Sequence, residues 1–248
     1  MIFAFRYGSD PLDYLVIIVL TLVAVTVSLV LHELAHGYVA KWNGDYTAKY
    51  AGRLTFNPLK HFDPIGFIMM LLVGFGYAKP VPVNPANFKR FRFGLVTVAI
   101  AGVVVNLILA FIGALGFCLM MLALNHASTD GTILLCWYLL RFFEIFATIN
   151  LALLFFNILP IFPLDGFRVV EALSHRGNKF CHFMRTNGQY ILWGLVGLSF
   201  IVSSAMSNFA NMPYWFEYVD VLGTYLNFFS GNLLSLFIRF WGLIVPIY

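Results

Sequence analysis

The chain has 248 residues, of which 61% are hydrophobic and only 10% are charged, whereas a soluble domain is nearer half apolar and a quarter charged. The net charge of +4 comes from basic residues scattered in loops, which excludes the dense Lys/Arg runs typical of nucleic-acid binding. The composition therefore predicts a polytopic membrane protein that has the lipid bilayer, and no nucleic acid, as a partner.

Five apolar runs approach or exceed the roughly 18–20 residues needed to cross the hydrocarbon of a bilayer. They predict membrane-spanning helices at about residues 12–42, 94–124, 132–159, 189–206 and 222–246. Because no linker, repeat or low-complexity segment divides the chain, residues 1–248 are predicted to form one domain. The predicted fold class is an all-α polytopic membrane protein, with core motifs in 30–170 and a C-terminal transmembrane part in 189–248.

Two shorter elements are predicted between the first two spans. The first is a short β-hairpin, indicated by the near-alternation of Tyr46, Lys49, Arg53 and Phe56. The second covers 64–84, whose apolar part is too short to cross a bilayer at about 1.5 Å per residue. Gly-Phe-Gly and Pro-Val-Pro follow in this segment and break any helix. We therefore predict a re-entrant, membrane-dipping element that other parts of the protein shield from lipid.

Twelve of the fifteen basic residues lie in three segments, at 41–63, 79–92 and 165–187. The positive-inside rule places such segments in the cytoplasm. The segments at 41–63 and 79–92 can both lie there only if 64–84 enters and leaves the membrane on the same side. The predicted localisation is the cell inner (cytoplasmic) membrane, multi-pass, with the N-terminus outside.

The first span ends in His32-Glu33-x-x-His36. Positions four apart share a helix face, so both imidazoles can reach one ion, and zinc accepts histidine nitrogen readily. Glu33 is rotated about 100° from His32, beside the ligands, where it can take a proton from a water molecule. Ionisable groups within a membrane span are costly and usually functional. The motif therefore predicts a catalytic zinc site, nearer the cytoplasmic face.

A catalytic zinc site needs a third protein ligand, and several residues are candidates. Asp165 lies in NILPIFPLDGF, where two prolines and a glycine break a helix and can aim a carboxylate inward; it can also cap the following helix. Glu144 and Glu171 are the alternative ligands, although Glu144 is spaced for an ion pair with Arg141. The remaining distant candidates are His61, Asp63 and His126.

These residues together resemble the site-2 protease family of intramembrane zinc metalloproteases, peptidase family M50. The resemblance rests on His32-Glu33-Leu34-Ala35-His36-Gly37 and on Asn157-x-x-Pro160-x-x-x-Leu164-Asp165-Gly166. It extends to AGRLTFNPLKHFDPIG (51–66), GYAKPVPVNPANFKR (76–90) and AGVVVN (101–106). The loop at 125–131 is too short for a PDZ domain, so the likeness is to the compact bacterial members without PDZ or CBS domains.

The resemblance implies that one zinc ion is held by His32, His36 and Asp165, with Asp165 on a second transmembrane helix. It implies that Glu33 is the general base and that Asn157 positions the scissile peptide or stabilises the oxyanion. The residues expected to contact the substrate are Asn106, Asn150, Gly74, Gly76 and Pro82.

The predicted function is zinc-dependent hydrolysis of peptide bonds in or near the transmembrane segments of membrane-protein substrates. Two alternatives remain at this point, a zinc transporter that uses the same triplet and a different membrane zincin whose third ligand is a glutamate. The sequence predicts neither the identity of the substrate nor the oligomeric state.

Overall fold

The computed structural model describes residues 11–64, 66, 78–175, 177–208 and 213–245. Within these ranges the chain is helical and has no β-strand. The α-helices are α1 (Pro11–Trp42), α2 (Thr47–Tyr50), α3 (Phe91–Asn125), α4 (Asp130–Ile158), α5 (Asp165–Leu173), α6 (Lys179–Asn208) and α7 (Val221–Gly242). Short 3-10 helices cover Pro58–Lys60, Pro85–Asn87 and Tyr214–Val219.

Five helices, α1, α3, α4, α6 and α7, are long and apolar enough to cross a membrane. This confirms the predicted all-α class and the number of spans among the described residues. The boundaries of α6 differ most from the prediction, because the helix begins at Lys179 rather than at 189. Its first turns contain polar residues such as His182, Arg185 and Asn187, so hydropathy alone does not reveal them as helical.

Helices α1, α3 and α4 pack together as the centre of the structure. Glycines allow α3 to approach α4 closely, since a Cβ at Gly113 would lie 3.1 Å from the backbone nitrogen of Ala147 and one at Gly116 would overlap the Phe143 ring. Small residues have this role in many membrane helix pairs. Helix α7 packs on the outside of α3 and α4, and α6 packs against α7.

The predicted β-hairpin around residues 46–56 is wrong, because this stretch contains α2 and a turn. The Asp45 carboxylate accepts from the backbone N–H and the hydroxyl of Thr47, an Asx-type contact that starts a helical turn. Gly52, with φ of 63°, then ends the turn in a conformation that favours glycine. The alternation of polar and apolar side chains suggested a strand, but the contacts of Asp45 and the conformation of Gly52 determine the backbone here.

The predicted re-entrant element at 64–84 lies for the most part outside the described residues, and these give it no support. Its last part, residues 78–84, is described and belongs to no helix or strand; Asn84, at its end, has extended backbone angles. The Arg53 side chain donates to the carbonyls of Lys79 and Pro80, at 2.6 and 3.3 Å. Val81 N–H also donates to Glu33, so this segment lies beside the C-terminal half of α1.

Candidate metal centre

The two histidines of the motif lie on one face of α1, four residues apart. Both are buried, each with 5% of its surface exposed, and their Nε2 atoms are 3.0 Å apart. Gly102 on α3 makes room for this arrangement, since a Cβ at that position would overlap the His32 ring. The glycine therefore lets α3 approach the turn of α1 that carries the histidines.

Asp165 reaches the same point from the break after α4. The chain leaves α4 at Ile158, turns through residues 159–164 and starts α5 with Asp165. Gly166 is needed for this turn, because a Cβ there would collide with the carbonyl groups of Ile158 and Leu159. Asp165 thus begins a nine-residue helix that follows a membrane span, which corrects the expectation that it lies on a transmembrane helix.

The Oδ2 atom of Asp165 lies 3.3 Å from Nε2 of His32 and 3.1 Å from Nε2 of His36. These three residues are the only group of three His, Cys, Asp or Glu side chains in the described part of the chain that can hold a metal ion. The structure therefore brings together the three residues that the motifs selected as ligands.

The outer nitrogens of both rings face oxygen acceptors. Nδ1 of His32 is 2.6 Å from Oδ1 of Asn106, and Nδ1 of His36 is 2.7 Å from the carbonyl oxygen of Val98. A neutral imidazole carries one hydrogen, so these contacts place it on Nδ1 and leave a lone pair on each Nε2. Asp165 Oδ2, which is buried and has no hydrogen-bond partner, adds a third acceptor.

Three acceptor atoms that face one another without a hydrogen between them repel unless a cation lies among them. Tetrahedral zinc, with bonds of about 2.0–2.1 Å to nitrogen and oxygen, places neighbouring ligand atoms about 3.3 Å apart. The observed separations of 3.0, 3.1 and 3.3 Å are close to that value. The donor set and its geometry therefore fit zinc with one coordination position left open.

Glu33 lies beside the ligands rather than among them, as its position on α1 predicts. It is half-buried, and its Oε2 accepts from the backbone N–H of Val81 at 2.8 Å. The segment at 78–84 therefore contacts the carboxylate directly. Pro82, a predicted substrate contact, follows Val81 in this segment and is half-buried.

The other candidate ligands all lie elsewhere and have partners of their own. Glu144 pairs with Arg141 at 2.7 Å, and Glu171 pairs with Arg185. His61 bonds the carbonyl of Thr55, Asp63 accepts from the backbone N–H of Gly66, and His126 bonds the carbonyl of Leu122 at the far end of α3. The described residues therefore offer no glutamate as a third ligand.

Asn106 and Asn150, two predicted substrate contacts, lie behind His32 in the helix core with no exposed surface. Asn106 Nδ2 donates to Asn150 Oδ1 at 2.8 Å. Asn157 is half-buried near the end of α4, where its Nδ2 donates to the carbonyl of Leu153. Gly74 and Gly76 lie outside the described residues. Contact of these residues with substrate stays a prediction.

Sequence reasoning missed Ser28, Gly102 and Val98, which shape the centre from outside. Ser28 is buried one turn before His32 and accepts from Asn150, Gly102 admits the His32 ring, and Val98 supplies a backbone oxygen. Gly102 stands within the AGVVVN block, so the motif carried a signal for it. A backbone carbonyl has no signature in the sequence.

The fold and the site define a multi-pass helical membrane protein with a buried His-His-Asp centre suited to catalytic zinc. The family model for Peptidase family M50 matches residues 127–201, a range that includes Asp165. "Putative zinc metalloprotease YwhC" of Bacillus subtilis is 43% identical over 208 residues, which cover 77% of this chain and 90% of the relative.

More distant relatives have similar names. "Putative zinc metalloprotease Rip2" of Mycolicibacterium smegmatis is 27% identical, with 94% of this chain and 84% of the relative covered. "Putative zinc metalloprotease MJ0611" of Methanocaldococcus jannaschii is 29% identical, with 78% and 82% covered. No solved structure matches the chain. The chain belongs to peptidase family M50, the site-2 protease family, as its motifs predicted. Membership makes it a zinc metalloprotease.

Proposed function

We propose that this chain is an intramembrane endopeptidase that hydrolyses peptide bonds in or near transmembrane segments of membrane proteins, as in regulated intramembrane proteolysis. One observation carries the proposal: three buried acceptor atoms, two from a membrane-spanning helix, converge within 3.3 Å of one another. His32, His36 and Asp165 would hold the zinc ion. The centre belongs to the single membrane-embedded domain formed by the whole chain.

When bound, zinc supplies Lewis-acid polarisation of the scissile carbonyl and of the attacking water. Glu33 acts as general base: its carboxylate takes a proton from the water and passes it to the nitrogen of the leaving amine. The N–H of Val81 supports this role by holding one carboxylate oxygen, Oε2, at 2.8 Å, which restricts the orientation of the carboxylate.

The segment at 78–84, which lies outside any helix and contacts Glu33, is the part of the described chain best placed to bind an unwound substrate. A helical substrate has its carbonyl groups occupied by internal hydrogen bonds, so it must unwind before cleavage. An unwound peptide can add to an extended segment as a further strand. Pro82 then contacts the substrate from this segment, and Asn157 orients the scissile peptide from the end of α4.

Water reaches the centre from the cytoplasmic side in this proposal. His36 lies five residues before Lys41 on α1, and most of the basic residues in 41–63 and 79–92 lie in the loops between α1 and α3. The five spans then alternate across the inner membrane with the N-terminus outside.

Co-reconstitution with a single-span model substrate tests the proposal. We expect Glu33→Gln to bind one zinc ion per chain and to cleave about 10²–10⁴-fold more slowly, since it removes only the general base. Glu217→Gln is the matched control, because Glu217 is exposed and far along the chain in the 3-10 helix before α7; it should cleave at the wild-type rate.

Cleavage by Glu33→Gln at the wild-type rate would exclude Glu33 as the base. Zinc accumulation inside the vesicles without any proteolysis by the wild type would replace the proposal with the transporter alternative. Cleavage confined to water-exposed loops, with the membrane segment intact, would contradict the intramembrane substrate.

A further inference from the structure

A chain of hydrogen bonds runs through the helix core behind the metal centre. Asn106 Oδ1 contacts Nδ1 of His32 at 2.6 Å, and its Nδ2 donates to Oδ1 of Asn150 at 2.8 Å. Asn150 Nδ2 donates to Oγ of Ser28 and to the carbonyl of Phe146, both at 2.8 Å. The side chains of Ser28, Asn106 and Asn150 have no exposed surface.

The direction of every bond in this chain follows from its far end. The Phe146 carbonyl can only accept, so Asn150 must present its NH₂ group there and its Oδ1 to Asn106. Asn106 must then donate through Nδ2, which turns its Oδ1 towards His32. A reversed amide at either position would oppose two acceptors in the apolar interior of the protein, where a lost hydrogen bond is costly.

We infer that Asn150 and Asn106 are positioning residues that hold His32 in the Nδ1–H tautomer, which leaves its Nε2 lone pair free for zinc. The inference rests on the proposed role of His32 as a ligand. Partners of this kind on the outer nitrogen commonly orient a metal-binding histidine, and their loss typically costs about 10–100-fold in metal affinity.

The second histidine of the motif does not depend on such side chains. Nδ1 of His36 donates to the Val98 carbonyl of α3, which no substitution removes and which can only accept. The tautomer of His36 is therefore set by backbone, whereas that of His32 is set by two amides on α3 and α4. Substitution of Asn106 or Asn150 is therefore expected to change the tautomer of His32 and not that of His36.

Two substitutions of Asn106 distinguish a positioning role from a role in packing alone, because the two roles predict opposite orders of zinc affinity. Asn106→Leu has similar size and suits an apolar core but removes the acceptor for His32; we expect zinc to bind about 10–100-fold more weakly. Asn106→Asp keeps an oxygen against Nδ1, so zinc affinity should stay within about threefold of wild type. If Asn106 only fills space, Leu keeps the affinity and the buried carboxylate of Asp lowers it.

Zinc affinity is measured on detergent-solubilised protein by competition with a chelator, and the tautomer of His32 by ¹⁵N NMR of the zinc-free protein. The His32 signals are assigned by their loss in His32→Gln. We expect the Nδ1–H form in wild type and a mixture of tautomers in Asn106→Leu. The second variant, Asn150→Leu, keeps Asn106 beside His32 but removes the group that orients the Asn106 amide. It should therefore weaken zinc binding several-fold.

Ser28→Ala should change zinc affinity less than twofold, because the Phe146 carbonyl still orients Asn150. Ser230→Ala is its matched control, since Ser230 is buried on α7 and its hydroxyl has no partner. Wild-type affinity together with a single Nδ1–H tautomer in Asn150→Leu, or in Asn106→Leu, overturns the inference. A different result would show that the proposed function itself is wrong: if His32 is not a zinc ligand, His32→Gln should bind zinc with wild-type affinity.

Discussion

Two buried aspartates of this protein lie in opposite hydrogen-bonding environments. Asp45 follows α1 and has no exposed surface. Its carboxylate accepts from the backbone N–H groups of Thr47 and Asn84, and from the side chains of Thr47 and Asn87. These donors lie at the start of α2 and in the segment that precedes α3, so Asp45 joins the two.

Asp165 meets no such donors at Oδ2. This atom faces the Nε2 atoms of His32 and His36 at 3.3 and 3.1 Å, and both are acceptors in the tautomer that their outer contacts require. A carboxylate surrounded by donors has its hydrogen-bonding capacity satisfied. A buried carboxylate that faces acceptors is repelled by them unless a cation lies between. Burial alone does not distinguish a structural from a metal-binding aspartate, but the polarity of the neighbouring atoms does.

Removal of the carboxylate at the metal centre should have the largest effect. Asp165→Ala takes away one of the three proposed ligands, and we expect zinc affinity to fall by more than about 100-fold, beyond the typical loss for an outer-shell partner. Proteolysis of the model substrate should fall below detection. Metal content after dialysis, measured by mass spectrometry, checks the first expectation.

Glu171→Ala is the control for this change, since Glu171 lies on the same helix, α5, and pairs with Arg185. It should retain one zinc ion and the wild-type rate. The opposite result, with zinc retained by Asp165→Ala and lost by Glu171→Ala, would select a zincin with a glutamate ligand.

The convergence of His32, His36 and Asp165 could be predicted from the sequence because their signals are local. His32 and His36 are one helical turn apart, and the prolines before Asp165 mark the helix break that turns it inward. The polar contacts around them could not be predicted, since Asn106 lies 74 positions from His32. Such contacts depend on how far the helices rotate and slide against each other.

The hairpin prediction failed for a related reason. Alternating side chains around Tyr46 to Phe56 suggested a strand, yet the contacts of Asp45 with Thr47 start a helical turn. The donors from Asn84 and Asn87 that stabilise this Asp45 come from 39 and 42 positions away along the chain. A short element is decided by such distant contacts more often than a long apolar helix is.

The approach of α3 to the metal centre can be tested with a pair of glycines. Gly102→Ala should lower zinc affinity about 10–100-fold, because the new Cβ would overlap the His32 ring. Gly197→Ala, on α6, meets no atom within 4 Å and should leave affinity unchanged. Alanine favours a helix over glycine by about 1 kcal/mol, so helix propensity cannot explain a loss at Gly102.

Chelator competition on both purified variants gives the comparison. Equal zinc affinity in the two alanine variants would mean that α3 can withdraw from α1 without disturbing His32. In that case the close contact at Gly102 concerns packing alone.

Asp45 should affect stability without affecting zinc. Asp45→Asn replaces one acceptor oxygen by an NH₂ group and leaves at least one loop donor unpaired, which should lower the free energy of unfolding by about 1–3 kcal/mol at pH 7. Zinc affinity should stay at the wild-type value, because Asp45 contacts no ligand. Chemical denaturation in detergent, followed by tryptophan fluorescence, measures the difference.

The pH dependence of that difference follows from the charge of Asp45. Burial raises the pKa of its carboxyl, but the hydrogen bonds from Thr47, Asn87 and Asn84 outweigh burial and hold the pKa below its ordinary value. The stabilisation is thus present above the unfolded pKa of about 3.9 and is lost as pH falls through the lower folded pKa. Wild type and Asp45→Asn should differ equally at pH 7 and pH 5 and begin to converge below about pH 4. A difference that vanished already at pH 5 would show that the loop donors do not stabilise the charged carboxylate, and Asp45 would lose its contrast with Asp165.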